Sequence, residues 1–166
     1  MKKENKFFQL IHKKLLMPKR LKVIAKEINK MNVKNMLDIG CRDCLLEKYV
    51  HLDYTGLDLN KTQDNVIEGD IEEIEIKDKY DLVVCLETLE HLKDPVKTIN
   101  KIKSIAKRYI IISFPNEPYY TLSRFFIPQP DHLLTLTPQF LRLYLGKPIK
   151  ERYWNFKRHY IAVFKK

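Results

Sequence analysis

Four short apolar runs in the first part of the chain each end in a carboxylate or a glycine turn, and that series constrains the fold more than any other feature. Asn35-Met36-Leu37-Asp38-Ile39-Gly40 is a short buried strand closed by a glycine turn. Tyr54-Thr55-Gly56-Leu57-Asp58 is a second strand, Val66-Ile67-Glu68 leads to Asp70, and Tyr80 to Leu86 leads to Glu87. Asp begins turns readily, so one such residue would carry little weight. Four at successive strand ends point to a ligand edge, because open α/β sheets bind ligands at the carboxyl ends of their strands. A carboxylate about 20 residues beyond a strand–glycine turn suits a pair of ribose hydroxyls, and Asp58 stands at that distance from Gly40.

The stretches between and around the strands carry helical spacing. Leu21, Ile24, Ala25, Ile28 and Met31 line one face over 20–31. A shorter helix is expected over 5–16, with Phe7, Phe8, Ile11 and Leu15, and another over 44–50. Asp94-Pro95 and Thr137-Pro138 pair a capping side chain with a first-turn proline. The first of these helices is expected to face inward through Val96, Ile99, Ile102 and Ala106, and Gly146 is expected to end the second. Tyr109 to Phe114 is the most hydrophobic strand. Ile149 to Phe164 alternates as two antiparallel strands around Asn155 to Arg158. Alternation of strand and helix predicts an α/β fold, a mostly parallel sheet with helices on both faces and a C-terminal antiparallel hairpin.

At 166 residues the chain is expected to form one domain: a helical extension over 1–32, a core over 33–145 and a terminal hairpin over 146–166. Three cysteines make no disulfide framework, and no apolar run approaches the length of a membrane span. The N-terminal stretch does not read as a signal peptide, and a cytoplasmic location is expected. The net charge of +10 is unevenly placed: +9 over 1–34, −10 over 35–95 and +11 over 96–166. Basic ends flanking an acidic middle suggest a polyanion partner such as RNA, or a charged surface that only solubilises.

The segments Leu37 to Cys41, Tyr54 to Leu59, Glu68 to Glu72 and Tyr80 to Leu92, in this order, resemble the class I S-adenosylmethionine-dependent methyltransferases, of a type 11-like kind. The resemblance runs over roughly 33–145 and implies a Rossmann-like fold with S-adenosyl-L-methionine as cofactor. It implies that Asp38, Gly40 and Cys41 border the methionine and ribose part, that Asp58 takes the ribose hydroxyls, and that Leu59 packs on the adenine. Asp70 would face the adenine amino group, Ile71 would offer a backbone amide, and Leu86 would approach the methionine moiety. The family usually has two further glycines where Arg42 and Cys44 stand here. The link from Asp58 to Val66 is also too short for the usual helix.

Cys41 and Cys44 form a C-x-x-C without a second pair, which favours small fillers over a zinc site. Glu87, Glu90 and His91 resemble the E-x-x-E-H with which some O-methyltransferases, including small-RNA and ubiquinone-pathway enzymes, hold a divalent metal. His132, beside Asp131, would complete that set; the expectation is that no metal is bound. The aromatic stretch Pro118 to Pro128, with Arg124, falls where such folds build an acceptor lid. The expected activity is methyl transfer to a small or lipid-like acceptor, with RNA as another candidate. A non-catalytic module retaining the fold is the alternative. A dinucleotide oxidoreductase is disfavoured by the missing G-x-G-x-x-G.

Overall fold

The computed structural model describes residues 17–116, 133–155 and 157–166. The expected helix over 5–16, the stretch from Pro118 to Pro128, and Asp131 with His132 lie outside these residues. The described chain forms one seven-stranded sheet in the order β3-β2-β1-β4-β5-β7-β6. Its strands are β1 (Asn35–Ile39), β2 (Asp53–Asp58), β3 (Val66–Glu68), β4 (Tyr80–Leu86), β5 (Ala106–Pro115), β6 (Lys150–Trp154) and β7 (His159–Lys165). β1 to β5 run parallel, and β7 pairs antiparallel with both β5 and β6.

The described residues also form three α-helices: α1 (Met17–Ile28), α2 (Pro95–Ile105) and α3 (Pro138–Leu145). α1 lays Leu21, Ile24, Ala25 and Ile28 onto one sheet face, against Met36, Val84, Ile111 and Val163. Ile99 and Ile102 of α2 and Leu141 of α3 pack on the other face with Leu37, Val83, Ile112 and Phe114. Leu82 to Cys85 are fully buried because β4 is central and covered on both sides. Each large apolar side chain so buried contributes roughly 1.5–3 kcal/mol.

The capping chemistry works as the sequence predicts. Asp94 accepts the Lys97 N–H at 2.8 Å and Thr137 accepts the Phe140 N–H at 3.2 Å. Gly146 ends α3 at φ +79°.

Three expectations need correction. Residues 44–50 form turns and one 3-10 turn over Glu47–Tyr49 in place of a helix. β5 begins at Ala106, directly after α2, so Ala106 is a strand residue. Val96 is only half-buried, and Thr98 and Ile105 face the core instead.

Candidate active site

The strand order reverses between β1 and β4: the chain starts at β1, steps outward to β2 and β3, then returns to β4 on the far side of β1. A crevice outside the strand ends at such a reversal is where open α/β sheets bind ligands. Asp38, Gly40, Asp58 and Leu86 all stand at this edge, since Asp38 pairs with Gly56 and Ile39 with both Leu57 and Cys85.

The turn after β1 is the centre of the arrangement. Gly40 has φ +73°, and a Cβ there would lie 2.3 Å from Thr88 Oγ1, so glycine is required by conformation and by space. The N–H groups of Gly40 and Cys41 both donate to the Leu57 carbonyl, at 2.8 and 3.3 Å. Arg42 and Cys44 follow at φ +50° and +49°. These are the two positions where glycines are expected by resemblance, and the backbone takes the left-handed region there without them. Non-glycine residues in this region carry a strain on the order of 1 kcal/mol, held in place by surrounding contacts.

Those contacts converge on Asp58. Its Oδ2 accepts the Arg42 N–H at 2.8 Å and its Oδ1 the Asn60 N–H at 3.3 Å. The Thr62 hydroxyl donates to the Arg42 carbonyl at 3.0 Å. Each Asp58 oxygen keeps a further lone pair, so the carboxylate can hold the loop and still accept two hydroxyls. Leu59, next in the chain, is 65% exposed, an uncovered apolar side chain beside that carboxylate.

Asp38 is buried and accepts the Tyr54 O–H at 2.7 Å. Burial pushes its carboxyl up to about 7, the Tyr54 donor works against this, and the charge of Asp58 adds to it. Cys41 and Cys44 are buried free thiols with sulfurs 3.4 Å apart. Burial first, then Cys44, pushes the Cys41 thiol far up. A Cβ on Gly56 would meet the Cys41 sulfur at 2.7 Å, so Cys41 packs on β2 through a gap only glycine leaves. Asp70 accepts the Glu72 N–H on Oδ1 at 2.8 Å, and Ile71 is buried. Glu72 in turn accepts the N–H groups of Lys93 and Asp94, at 3.2 and 2.6 Å, tying the loop after β3 to the loop after β4.

At the end of β4, Glu87 has φ +52° and is held from three other elements. Ser113 donates to Oε1 at 2.8 Å, while Oε2 lies 2.8 Å from His159 Nδ1 and 3.1 Å from Arg20. Burial alone would raise the Glu87 carboxyl; Arg20 most of all, then His159, bring it well below the ordinary range. A carboxylate only accepts, so His159 Nδ1 carries the hydrogen of that contact. Glu90 is buried and His91 exposed. Among the described residues, no group of three His, Cys, Asp or Glu side chains is placed to hold a metal ion.

The sequence pattern alone gives no site role to Arg20, Tyr54, Ser113 or His159. Arg20 had a signal: with Ile24 and Ile28 it falls on the buried stripe of α1, where a charge requires a buried partner.

Sheet order, glycine turn and strand-end carboxylates together define a class I S-adenosylmethionine-dependent methyltransferase domain. The match to the methyltransferase domain family extends over residues 9–161, and the chain belongs to that family. It is 29% identical over 126 residues to the ubiquinone biosynthesis O-methyltransferase of Actinobacillus pleuropneumoniae serotype 5b, covering 62% of this chain and 53% of that protein. The chain thus spans about half the length of the curated relatives it matches. The crystal structure of a SAM-dependent methyltransferase from Archaeoglobus fulgidus superposes with TM-score 0.72 at 22% identity, over 96% of this chain and 99% of that one. Magnesium protoporphyrin IX methyltransferase from Synechocystis, crystallised with SAH, superposes with TM-score 0.66 at 15% identity, over 91% and 82%.

Proposed function

We propose that the chain binds S-adenosylmethionine at the β1–β2 edge and transfers its methyl group to a small or lipid-like acceptor in the cytoplasm. The observation that carries the cofactor site is the Gly40 turn bonded to the end of β2, with Asp58 and exposed Leu59 beside it. These residues fit the cofactor: a carboxylate with lone pairs to spare for two ribose hydroxyls, and an open apolar side chain for the adenine. Asp38, Gly40, Cys41 and Leu86 border the methionine end in this reading, and Asp70 and Ile71 the adenine. The bound sulfonium supplies a methyl group already activated for transfer. The protein's task is then chiefly to align the acceptor and exclude water.

The names of the relatives support an oxygen acceptor, a reading for the acceptor class only. The alternative, a non-catalytic module, draws on Arg42 and Cys44; their left-handed backbone keeps the turn's path and favours the enzyme instead. Calorimetry with S-adenosylmethionine and with its demethylated product tests the proposal. Binding of both in the micromolar range is expected, and absence of heat with either would leave the module reading.

A further inference from the structure

Described parts of the two basic regions, α1 and β6, lie side by side. Lys19, Lys22 and Lys26 of α1 and Lys30 in the turn after it are all exposed. Their spacing of three, four and four residues sets them in one row, about 16 Å long at 1.5 Å per residue. Beside α1 runs β6, the edge strand of the sheet, with Lys150 and Arg152 exposed. Lys150 reaches across to Glu27 at 2.5 Å, and Lys30 and Arg152 also act on that carboxylate, so three cations from both ends surround one anion.

Between α1 and β6 lies a shallow groove with an apolar floor of Val23, Ile161 and Val163, rimmed by Lys150 and Arg152. Among the described residues, the carboxylates of this side are engaged: Glu27 by Lys150 and Glu47 by Gln63 and Asn65. Among the described residues no carboxylate forms a salt bridge with Lys19, Lys22, Lys26, Lys30 or Arg152, although Lys30 and Arg152 act on Glu27 from further off and Lys22 stands over the Tyr49 ring at 5.4 Å.

The geometry points to this face as a binding surface for single-stranded RNA. A phosphate backbone fits a row of cations backed by the exposed Lys150 and Arg152 of the edge strand. A membrane surface fits less well, because a helix that lies on lipid must insert its apolar face, and α1 has buried that face in the core. Lysines on an edge strand also deter sheet-to-sheet pairing, but that role needs no row of lysines on the neighbouring helix. The inference is independent of methyl transfer: it needs neither the cofactor nor RNA as the acceptor.

The test is filter binding of the intact protein to a labelled mixed-sequence 20-nucleotide RNA across a salt series. With four phosphates neutralised, log K should fall with log salt at a slope of about −3. Replacing Lys22, Lys26 and Lys30 together by Gln should lower affinity about tenfold or more at low salt. The same change at Lys61, Lys77 and Lys93, exposed lysines of the acidic middle, should leave it unchanged. Should the α1 triple variant melt early, Arg152→Gln alone must show a smaller loss of the same sign. No retention at low salt, equal losses in both triple variants, or tighter binding to phosphatidylserine vesicles than to RNA would overturn the inference.

Discussion

Arg42 and Asp58 are bonded to each other: the backbone N–H of the residue standing where a glycine is expected donates to the Oδ2 of the strand-end carboxylate at 2.8 Å. One carboxylate therefore holds the turn in its left-handed path and presents the lone pairs proposed for the ribose. Asp58→Ala should weaken S-adenosylmethionine binding by about 1.5–3 kcal/mol, the scale of hydrogen bonds to a charged group. Asp58→Asn, which keeps one accepting oxygen, should lose less. Equal affinity of Asp58→Ala and the parent in calorimetry would remove the ribose assignment.

Arg42 and Cys44 share a backbone conformation but not an environment, so glycine should act oppositely at the two. Arg42 is exposed, and Arg42→Gly relieves left-handed strain at the cost of added chain entropy. Its stability should stay level or rise by up to about 1 kcal/mol. Cys44 is buried against Cys41, so Cys44→Gly empties core volume as well and should destabilise by about 1–2 kcal/mol. Denaturant midpoints of the two variants decide this, and a common sign would mean the strain argument fails at one of them.

Gly40 meets Thr88 more closely than any side chain permits. Gly40→Ala places a Cβ 2.3 Å from Thr88 Oγ1, and Thr88 is itself bonded to the Ile39 and Leu86 carbonyls. The variant should lose about 2 kcal/mol or more from clash and left-handed strain together. Thr88→Gly in the same chain should restore part of the loss by clearing the clash, leaving the strain. Thermal melts of the single and double variants give the coupling, and strictly additive losses would show that the two positions do not collide.

The strand ends were legible because the needed signals are local. An apolar run, a carboxylate and a glycine within a few residues mark Asp38, Gly40 and Asp58, and the Asp94 and Thr137 caps are equally short-range. Residues 44–50 misled because Leu45, Leu46, Tyr49 and Val50 have helical spacing. The chain there instead turns sharply through the left-handed Cys44, after which Glu47–Tyr49 manages only a 3-10 turn. The start of β5 was hidden by exposed Lys107 and Arg108, which interrupt the apolar pattern. The Glu87 network was invisible for another reason: its partners, Arg20, Ser113 and His159, come from three distant elements that only the sheet order brings together. In the sequence Glu87 stands out only through the E-x-x-E-H resemblance, and in the fold the Arg20 guanidinium faces it.

Asp38 and Glu87 should give the stability–pH curve two opposing limbs. Glu87, held well below its ordinary 4.5 chiefly by Arg20, contributes stability that is present above that value and lost as pH falls toward about 2. Asp38 is displaced the other way, from 3.8 to about 7, so its contribution is largest at low pH and lost as pH rises from about 4 to about 7. Asp38→Asn keeps an acceptor for Tyr54 and removes the buried charge, so it should stabilise the protein at pH 8, have little effect at pH 4, and flatten the upper limb. Glu87→Gln should instead cost about 3–5 kcal/mol at pH 7, because Arg20 stays buried without its counter-charge. That loss should shrink as pH falls toward 2, where the parent's own carboxylate becomes protonated. Urea midpoints of parent and both variants between pH 3 and 8 report these limbs directly. An Asp38→Asn curve parallel to the parent's across the whole range would mean that Asp38 does not titrate where its burial demands.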